Sequence, residues 1–247
     1  MMVLRIRGFL PNTLIDWPGR LAAEVFLEGC NLRCPYCHAG YLLTTAPEAE
    51  TFELEHVLAH LKGERGWLDG VVVSGGEPTI HPELPALLRG FKEAGFAVKL
   101  DTNGTCPVVL ASLMRAGVLD YVAMDIKAPP EKYDKICGVP VDQGAIDTSI
   151  TLLMDGHVDY EFRTTIIPQL TREDILAIGN RIRGARSYVL QQCRRPDSTA
   201  SFRNPQPEQS PPTPTWILEA TENLKTLVRS STTRGFNMSR SLTSPSN

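Results

Sequence analysis

Apolar residues along the chain alternate between runs of strand length and segments with helical spacing. The run GVVVSGGEP at 70–78 has three consecutive valines and ends at two glycines, which predicts a buried strand. The segment TFELEHVLAHLKGE at 51–64 repeats apolar residues three and four positions apart, as an amphipathic helix does. The pattern predicts strands at 21–29, 70–78, 96–104, 119–129, 158–168 and 187–196, and helices at 51–64, 81–95, 107–117, 147–156, 171–184 and 215–230.

The order of these elements predicts the fold class. Six strand–helix alternations indicate an α/β fold with a parallel sheet and right-handed crossovers. Most of the strands end in polar or glycine residues, as in SGGEP, DTNG and DIK. A barrel gathers the carboxyl ends of its strands on one rim, so these residues are expected to meet there. We therefore predict a partial (β/α)6 TIM-like barrel rather than an open doubly wound sheet.

Composition changes after Pro196, which suggests a domain boundary. Residues 197–214 are rich in Pro, Ser and Gln and are predicted to form a linker without regular structure. The chain is thus divided into a barrel domain at 1–196, the linker at 197–214, and a C-terminal helix with a frayed tail at 215–247.

Charge and hydropathy exclude several classes of partner. A net charge of −3 offers no basic excess to neutralise nucleic-acid phosphates. No apolar run approaches the ~20 residues that span a bilayer, and the N-terminus lacks the apolar core and cleavage site of a signal peptide. The expected location is the cytoplasm, where clustered cysteines more often bind metal or perform redox chemistry than form stable disulfides.

The stretch GCNLRCPYCHAG at 29–40 holds three of the six cysteines: Cys30, Cys34 and Cys37. Cys34 and Cys37 alone have the spacing of a dithiol active site, but that interpretation leaves Cys30 without a role. With His38 they match the C-x-x-C-H pattern of haem attachment, which normally follows export. A structural zinc site needs four ligands, and His38 is too close to Cys37 to complete a tetrahedron easily. Alternatively, three thiolates can hold three irons of a cubane cluster and leave the fourth iron open.

The C-x-x-x-C-x-x-C spacing resembles that of the radical S-adenosylmethionine (SAM) enzymes. The aromatic Tyr36 before the third cysteine matches that family, in which the ring lies against the adenine region. The family resemblance implies a partial barrel with the cluster loop after the first strand, a 4Fe-4S cluster held by three cysteines, and SAM on the open iron. Gly75, Gly76 and Glu77, after the second strand, match the segment whose backbone approaches the methionine ammonium group.

Two further segments resemble the glycyl-radical-enzyme activases, a branch of that superfamily. DTNG at 101–104 and DIK at 125–127 match segments that line the ribose and the methionine carboxylate. The resemblance implies a monovalent cation between the two aspartates and the carboxylate, with a lysine adding positive charge. Arg163, Gln191 and Gln192 sit at the ends of later strands and are weaker candidates. The cofactor-binding residues implied in these two segments and the later strands are Asp101, Asn103, Asp125, Lys127 and Arg163.

The N-terminal stretch containing IDWPG resembles the activating proteins of anaerobic ribonucleoside-triphosphate reductases. This resemblance covers residues 5–195 and implies that SAM is cleaved reductively and a hydrogen is removed from a glycine of the partner reductase. A flavodoxin- or ferredoxin-type protein would donate the electron. No cysteine-rich insert that could bind a second cluster is present.

Several alternatives remain open from the residues alone. Within the radical SAM class, the substrate could be another glycyl radical enzyme, such as a pyruvate formate-lyase, or a small molecule. Outside it, a thiol-disulfide oxidoreductase using Cys34 and Cys37 would be colourless and active in air, and a non-catalytic cluster module would not cleave SAM. The histidines form no metal-ligand pattern, and Cys106, Cys137 and Cys193 are interpreted as ordinary thiols.

Overall fold

The computed structural model describes residues 4–43, 50–193 and 214–234. Eight strands form one sheet in the sequential order β1 to β8. All neighbouring pairs from β2 to β8 are parallel, and β1 runs antiparallel to β2. The strands are β1 (Ile6–Thr13), β2 (Ala22–Leu27), β3 (Gly70–Gly75), β4 (Ala97–Thr102), β5 (Tyr121–Asp125), β6 (Asp159–Ile166), β7 (Tyr188–Gln192) and β8 (Ser231–Arg234).

Helices connect the parallel strands, and the sheet does not close, since β1 and β8 are not paired in the described part of the chain. The predicted α/β fold is confirmed, and it is consistent with a partial barrel. The sheet has two more strands than the six predicted. The α-helices are α1 (Leu54–Gly63), α2 (Leu84–Glu93), α3 (Pro107–Arg115), α4 (Pro130–Cys137), α5 (Gln143–Asp155), α6 (Arg172–Arg181) and α7 (Ile217–Leu224).

Three elements of the structure, β1, α4 and β8, were not predicted from the sequence. Helix α4 carries strong end signals, because Pro130 occupies its first turn and Gly138 follows its last residue with φ +73°. Strand β1 alternates apolar and polar residues over only part of its length, which weakens its pattern. None of the three omissions changes the fold class, because β1 and β8 are the outermost strands of the sheet and α4 lies within the crossover from β5 to β6.

The C-terminal segment differs from its prediction. The helix expected at 215–230 ends at Leu224, and a turn then leads into β8, which pairs in parallel with β7. Strand β8 lies beyond the predicted helix and consists of Ser, Thr and Arg, so no apolar run marks it as a strand in the sequence. Most of the predicted linker and the tail lie outside the described residues, so the proposed division of the chain stays a prediction.

A tryptophan fills the inner face of the sheet at the amino ends of the strands. Trp17, from the loop between β1 and β2, is buried against Ala22 and Val72. A Cβ at Gly70 would lie 2.7 Å from Cζ3 of Trp17, so the glycine makes room for the indole. The IDWPG segment therefore contributes the tryptophan that fills the inside of the partial barrel at the amino ends of its strands.

The outer face of the sheet carries the main hydrophobic core, where α1 to α7 cover the strands. Its largest fully buried side chains include Phe91, Tyr133 and Phe162. None of the described helices is both long and apolar enough to cross a membrane.

Candidate functional site

The cysteine loop begins where β2 ends and is held against the loop after β3. Gly29 has φ +86°, which favours glycine, and its carbonyl accepts a hydrogen bond of 2.8 Å from the Glu77 amide. A Cβ at Gly76 would lie 1.8 Å from the same carbonyl oxygen, so the two backbones touch. Gly75 is equally constrained, with φ +119° and its Cβ direction blocked by Leu27. The glycine pair therefore fixes the start of the cysteine loop.

The three loop cysteines are free thiols of intermediate exposure. The amide of Cys37 donates a 3.0 Å hydrogen bond to the carbonyl of Cys34, which forms a tight turn between them. Cys30 Sγ accepts a 3.4 Å hydrogen bond from the Leu32 amide. The Leu32 amide thus orients the Cys30 sulfur, and the backbone turn holds Cys34 and Cys37 close together in the loop.

The donor set fits a cluster better than a single ion. Among the described residues, no group of three or more His, Cys, Asp or Glu side chains could hold a metal ion. Zinc requires its ligands to converge on one point at ~2.3 Å for sulfur. In an iron–sulfur cluster each thiolate binds a different iron, so the sulfurs need not converge. Three soft thiolates on one loop suit a cubane with one open iron.

The loop thiols lie in different electrostatic surroundings. Burial raises the pKa of Cys30 to about 11. The pKa of Cys34 is lowered to about 6, first because its thiol hydrogen bonds with that of Cys137. Cys137, the last residue of α4, also accepts a 2.9 Å hydrogen bond at its carbonyl from the Arg33 amide. Helix α4 therefore supports the middle of the cysteine loop.

Tyr36 lies close to both the cysteines and the charged residues of the rim. Burial raises the pKa of its hydroxyl, the Lys127 ammonium opposes that shift, and Cys34 adds to it. Tyr36 therefore lies between the cysteine loop and the end of β5, and its hydroxyl interacts electrostatically with Cys34 and Lys127.

Glu77 is buried, with 1% of its surface exposed. One carboxylate oxygen accepts hydrogen bonds from Thr79 and Thr102, and the other accepts from the Asn103 amide at 2.6 Å. Burial raises its pKa, although these donors oppose the shift. Both oxygens of the Glu77 side chain are thus committed to joining the loops after β3 and β4.

Asn103 connects the same region to the cysteine loop. The side-chain nitrogen Nδ2 of Asn103 donates a 2.9 Å hydrogen bond to Asn31 Oδ1. Asn31 Nδ2 in turn donates a 2.7 Å hydrogen bond to the Thr105 hydroxyl. Asn31 was not identified from the sequence, although it directly follows Cys30. A polar residue in an otherwise ordinary position of a motif gives no distinct signal until its partner is seen.

The carboxyl ends of β4, β5 and β6 carry a chain of ion pairs. The Arg163 guanidinium contacts Asp101 Oδ2 at 2.7 Å and Asp125 Oδ1 at 2.8 Å. Lys99 Nζ lies 2.5 Å from the other oxygen of Asp101, and Lys127 Nζ lies 2.8 Å from the other oxygen of Asp125. We call these five residues the rim network.

The rim network shifts the ionisation of its members. Burial would lower the pKa of Lys127, but the Asp125 carboxylate outweighs burial and raises it well above its usual value. Burial would raise the pKa of Asp125, but Arg163 and Lys127 hold it well below its usual value. These groups are therefore charged at neutral pH.

The structure brings together most of the residues predicted from the sequence. The cysteine loop, Tyr36 and the rim network are electrically coupled, since Lys127 and Asp125 both affect Cys34. Gln191 and Gln192 end β7, one strand beyond β6, which carries Arg163. Lys99 was not identified, although a lysine two positions before an aspartate in a buried strand places both on the same face.

Comparison with known proteins agrees with these features. Residues 25–182 match the model of the Radical SAM superfamily. The chain is 32% identical over 209 residues to a Methanocaldococcus jannaschii protein provisionally named a glycyl-radical enzyme activating enzyme, covering 78% of this chain and 81% of that one. It is 30% identical over 194 residues to the pyruvate formate-lyase-activating enzyme of Clostridium pasteurianum, covering 76% and 79%.

Solved structures share the fold. Streptococcus suis SuiB bound to S-adenosylmethionine superposes with a TM-score of 0.60 at 12% identity, over 83% of this chain and 48% of SuiB. A domain of pyruvate-formate lyase-activating enzyme from Bacteroides vulgatus gives a TM-score of 0.51 at 20% identity, over 67% and 99%. Since the family match covers more than half of the sequence and includes the cysteine loop, this chain belongs to the radical SAM superfamily, whose members use a 4Fe-4S cluster and SAM.

Proposed function

We propose that this protein is an activating enzyme that generates a glycyl radical in a partner enzyme. Cys30, Cys34 and Cys37 would hold the cluster and leave one iron for SAM. The observation that carries the proposal is the placement of three free thiols on one loop beside the rim network. The names of the two relatives support the activating role.

When bound, the cluster and SAM supply one-electron cleavage of the sulfonium and a radical that abstracts hydrogen from a glycine. The chain's own residues position this chemistry. Gly75 and Gly76 keep the backbone free of side chains beside the cysteine loop, where the methionine ammonium group is expected. Glu77 contributes through its backbone at that place, because its side-chain oxygens are already bonded.

The rim network is proposed to receive the methionine carboxylate and the ribose. Lys99, Lys127 and Arg163 carry three positive charges, and Asp101 and Asp125 carry two negative ones, which leaves one positive charge for an anionic group. In a site with little water such a charge attracts a carboxylate more strongly than in solution. Tyr36 is proposed to lie against adenine, and Asn103 to orient the neighbouring ribose.

The preferred partner is an anaerobic ribonucleoside-triphosphate reductase, supported by the resemblance of the IDWPG segment to the activating proteins of those reductases. We place the reaction in the cytoplasm, with a flavodoxin- or ferredoxin-type electron donor. A pyruvate formate-lyase is the second candidate, favoured by the Clostridium pasteurianum relative.

The partner can be identified by electron paramagnetic resonance. The reconstituted, reduced protein is incubated with SAM and, in separate samples, each candidate enzyme from the same genome. We expect a glycyl radical doublet with the reductase and none with its glycine-to-alanine variant. A doublet only with the formate-lyase would transfer the function to the second candidate, and no doublet with any partner, despite SAM cleavage, would contradict the activating role.

A further inference from the structure

The family resemblance implies a monovalent cation between Asp101 and Asp125, but the structure does not fit one. Each of the four carboxylate oxygens already lies within 2.8 Å of a positively charged nitrogen of the chain. A metal ion would have to displace one of these groups.

The Arg163 guanidinium lies between the two aspartates. It contacts Asp101 through Nη1 and Asp125 through Nε, so it neutralises one oxygen of each carboxylate at once. Its planar fork makes such a bridge more directional than a lysine could. The two carboxylates come from different strands, and the guanidinium therefore connects β4 with β5 in the manner expected of a bound ion.

Lys99 stabilises the Asp101 carboxylate through a second ion pair. Its side chain is fully buried on β4, and its ammonium contacts Asp101 Oδ1 at 2.5 Å. Glu24, on the neighbouring part of the inner face, also interacts with Lys99, and it is itself buried. A buried ammonium group without a carboxylate partner would strongly destabilise the fold, so the charge of Lys99 depends on its pairing with Asp101.

We propose that Arg163, held in place through the ion pairs of Lys99 and Lys127, is the built-in cation of this site, so that SAM binds without K⁺ or Na⁺. This inference rests on the proposed function for the identity of the ligand. The occupation of the aspartate oxygens by Arg163, Lys99 and Lys127 is independent of that function.

The first test measures SAM binding by calorimetry to the reconstituted protein in potassium, sodium and choline chloride at equal ionic strength. We expect the Kd to differ by less than about threefold among the three salts, since no metal ion is linked to binding. A larger tightening by K⁺ or Na⁺ over choline would overturn the proposal. Absence of SAM binding in all three salts would instead contradict the proposed function, and the second test then decides the inference.

The second test uses thermal unfolding without SAM. In Arg163→Met the two aspartates face each other without the guanidinium, and we expect K⁺ or Na⁺ to raise its Tm by about 3 °C or more relative to choline. Should this variant not fold, Lys99→Met frees one oxygen of Asp101 and allows the same comparison. The matched control is Lys92→Met, which removes a lysine that pairs at 2.7 Å with Asp120 outside the site.

The wild type and Lys92→Met are expected to show no difference in Tm between the metal salts and choline beyond experimental error. A wild type that responds as strongly as the variants would show that the ion binds despite Arg163. Variants that respond no more than the wild type would show that Arg163 and Lys99 do not occupy a cation's place. Either result overturns the inference.

Discussion

The carboxylate of Glu77 accepts a 2.6 Å hydrogen bond from the backbone amide of Asn103. This bond joins the loop after β3, which carries the glycine pair, to the loop after β4, which carries Asp101 and Asn103. Because the Gly29 carbonyl also accepts from the Glu77 amide, one residue connects three loops of the site. The position of the cysteine loop relative to the rim network therefore depends on Glu77, whose side chain is buried.

Replacing Glu77 with Gln tests this connection. Glutamine keeps the size but turns one acceptor into a donor, so the backbone amide of either Asn103 or Thr79 loses its acceptor. A buried donor without an acceptor costs about 1–3 kcal/mol, so we expect a loss of that size in the free energy of unfolding by urea. Glu93→Gln, at the exposed end of α2, is the control and should change stability by less than about 0.5 kcal/mol. Equal stability of the two variants would contradict the role of Glu77.

The packing of Trp17 inside the partial barrel depends on the absence of a side chain at Gly70. An alanine there would place its Cβ 2.7 Å from both the Trp17 ring and the Ala97 carbonyl oxygen. We expect Gly70→Ala to lower the free energy of unfolding by about 1–3 kcal/mol, as overpacking does. Gly90→Ala within α2, where a Cβ meets nothing within 4 Å, should instead stabilise by about 0.5 kcal/mol. If Gly70→Ala is neutral or stabilising in the same measurement, Trp17 does not pack as described.

Strand β8 contributes Arg234 to the inner face, where it forms two contacts of 3.1 and 2.8 Å with Glu161. Glu161 is 1% exposed, so Arg234→Met would leave a buried carboxylate without its partner. We expect destabilisation by about 2 kcal/mol in chemical unfolding, somewhat less than for a fully buried pair because the arginine is partly exposed. Arg229→Met, which changes an exposed arginine just before β8, should have little effect. An unchanged stability for Arg234→Met would mean that β8 does not complete the sheet.

The rim network predicts a dependence of stability on acid. The pKa of Asp125 is held below its unfolded value, so its ionised form stabilises the fold above about pH 4, and this contribution is lost as the pH falls further. We expect Asp125→Asn to be less stable than the wild type at pH 7, and the gap to narrow towards about pH 3. Urea unfolding at the two pH values measures the gap. A gap that is constant or widens in acid would show that Asp125 does not carry a lowered pKa.

Much of this architecture can be predicted from the sequence because its signals are local. Buried parallel strands appear as continuous apolar runs, and the capping box at the start of α6, from Thr171 to Asp174, lies within four consecutive residues. The cysteine spacing and the glycine pair also lie within short segments. Their convergence follows from the topology, since parallel strands deliver their carboxyl ends to the same edge.

The features that escaped prediction depend on long-range partners. Lys99 looks unusual only once Asp101 and Glu24 are seen beside it, and Cys137 gains meaning only from its contact with Cys34. The cation expected between the aspartates could not be questioned without the position of Arg163, 62 residues away from Asp101. Sequence patterns thus identify the elements and the loops, whereas pairings between strands decide what the charged residues do.

The most direct test of the central claim is the amount of 5′-deoxyadenosine formed when the anaerobically reconstituted, reduced protein receives SAM. We expect the wild type and Cys193→Ala, which changes a cysteine outside the loop, to form it, and Cys30→Ala, Cys34→Ala and Cys37→Ala to bind little iron and form none, because three thiolates are needed to hold a cluster with one open iron. Formation of 5′-deoxyadenosine at the wild-type rate by any of the three loop variants, or none by a wild type that contains a complete cluster, would contradict the account.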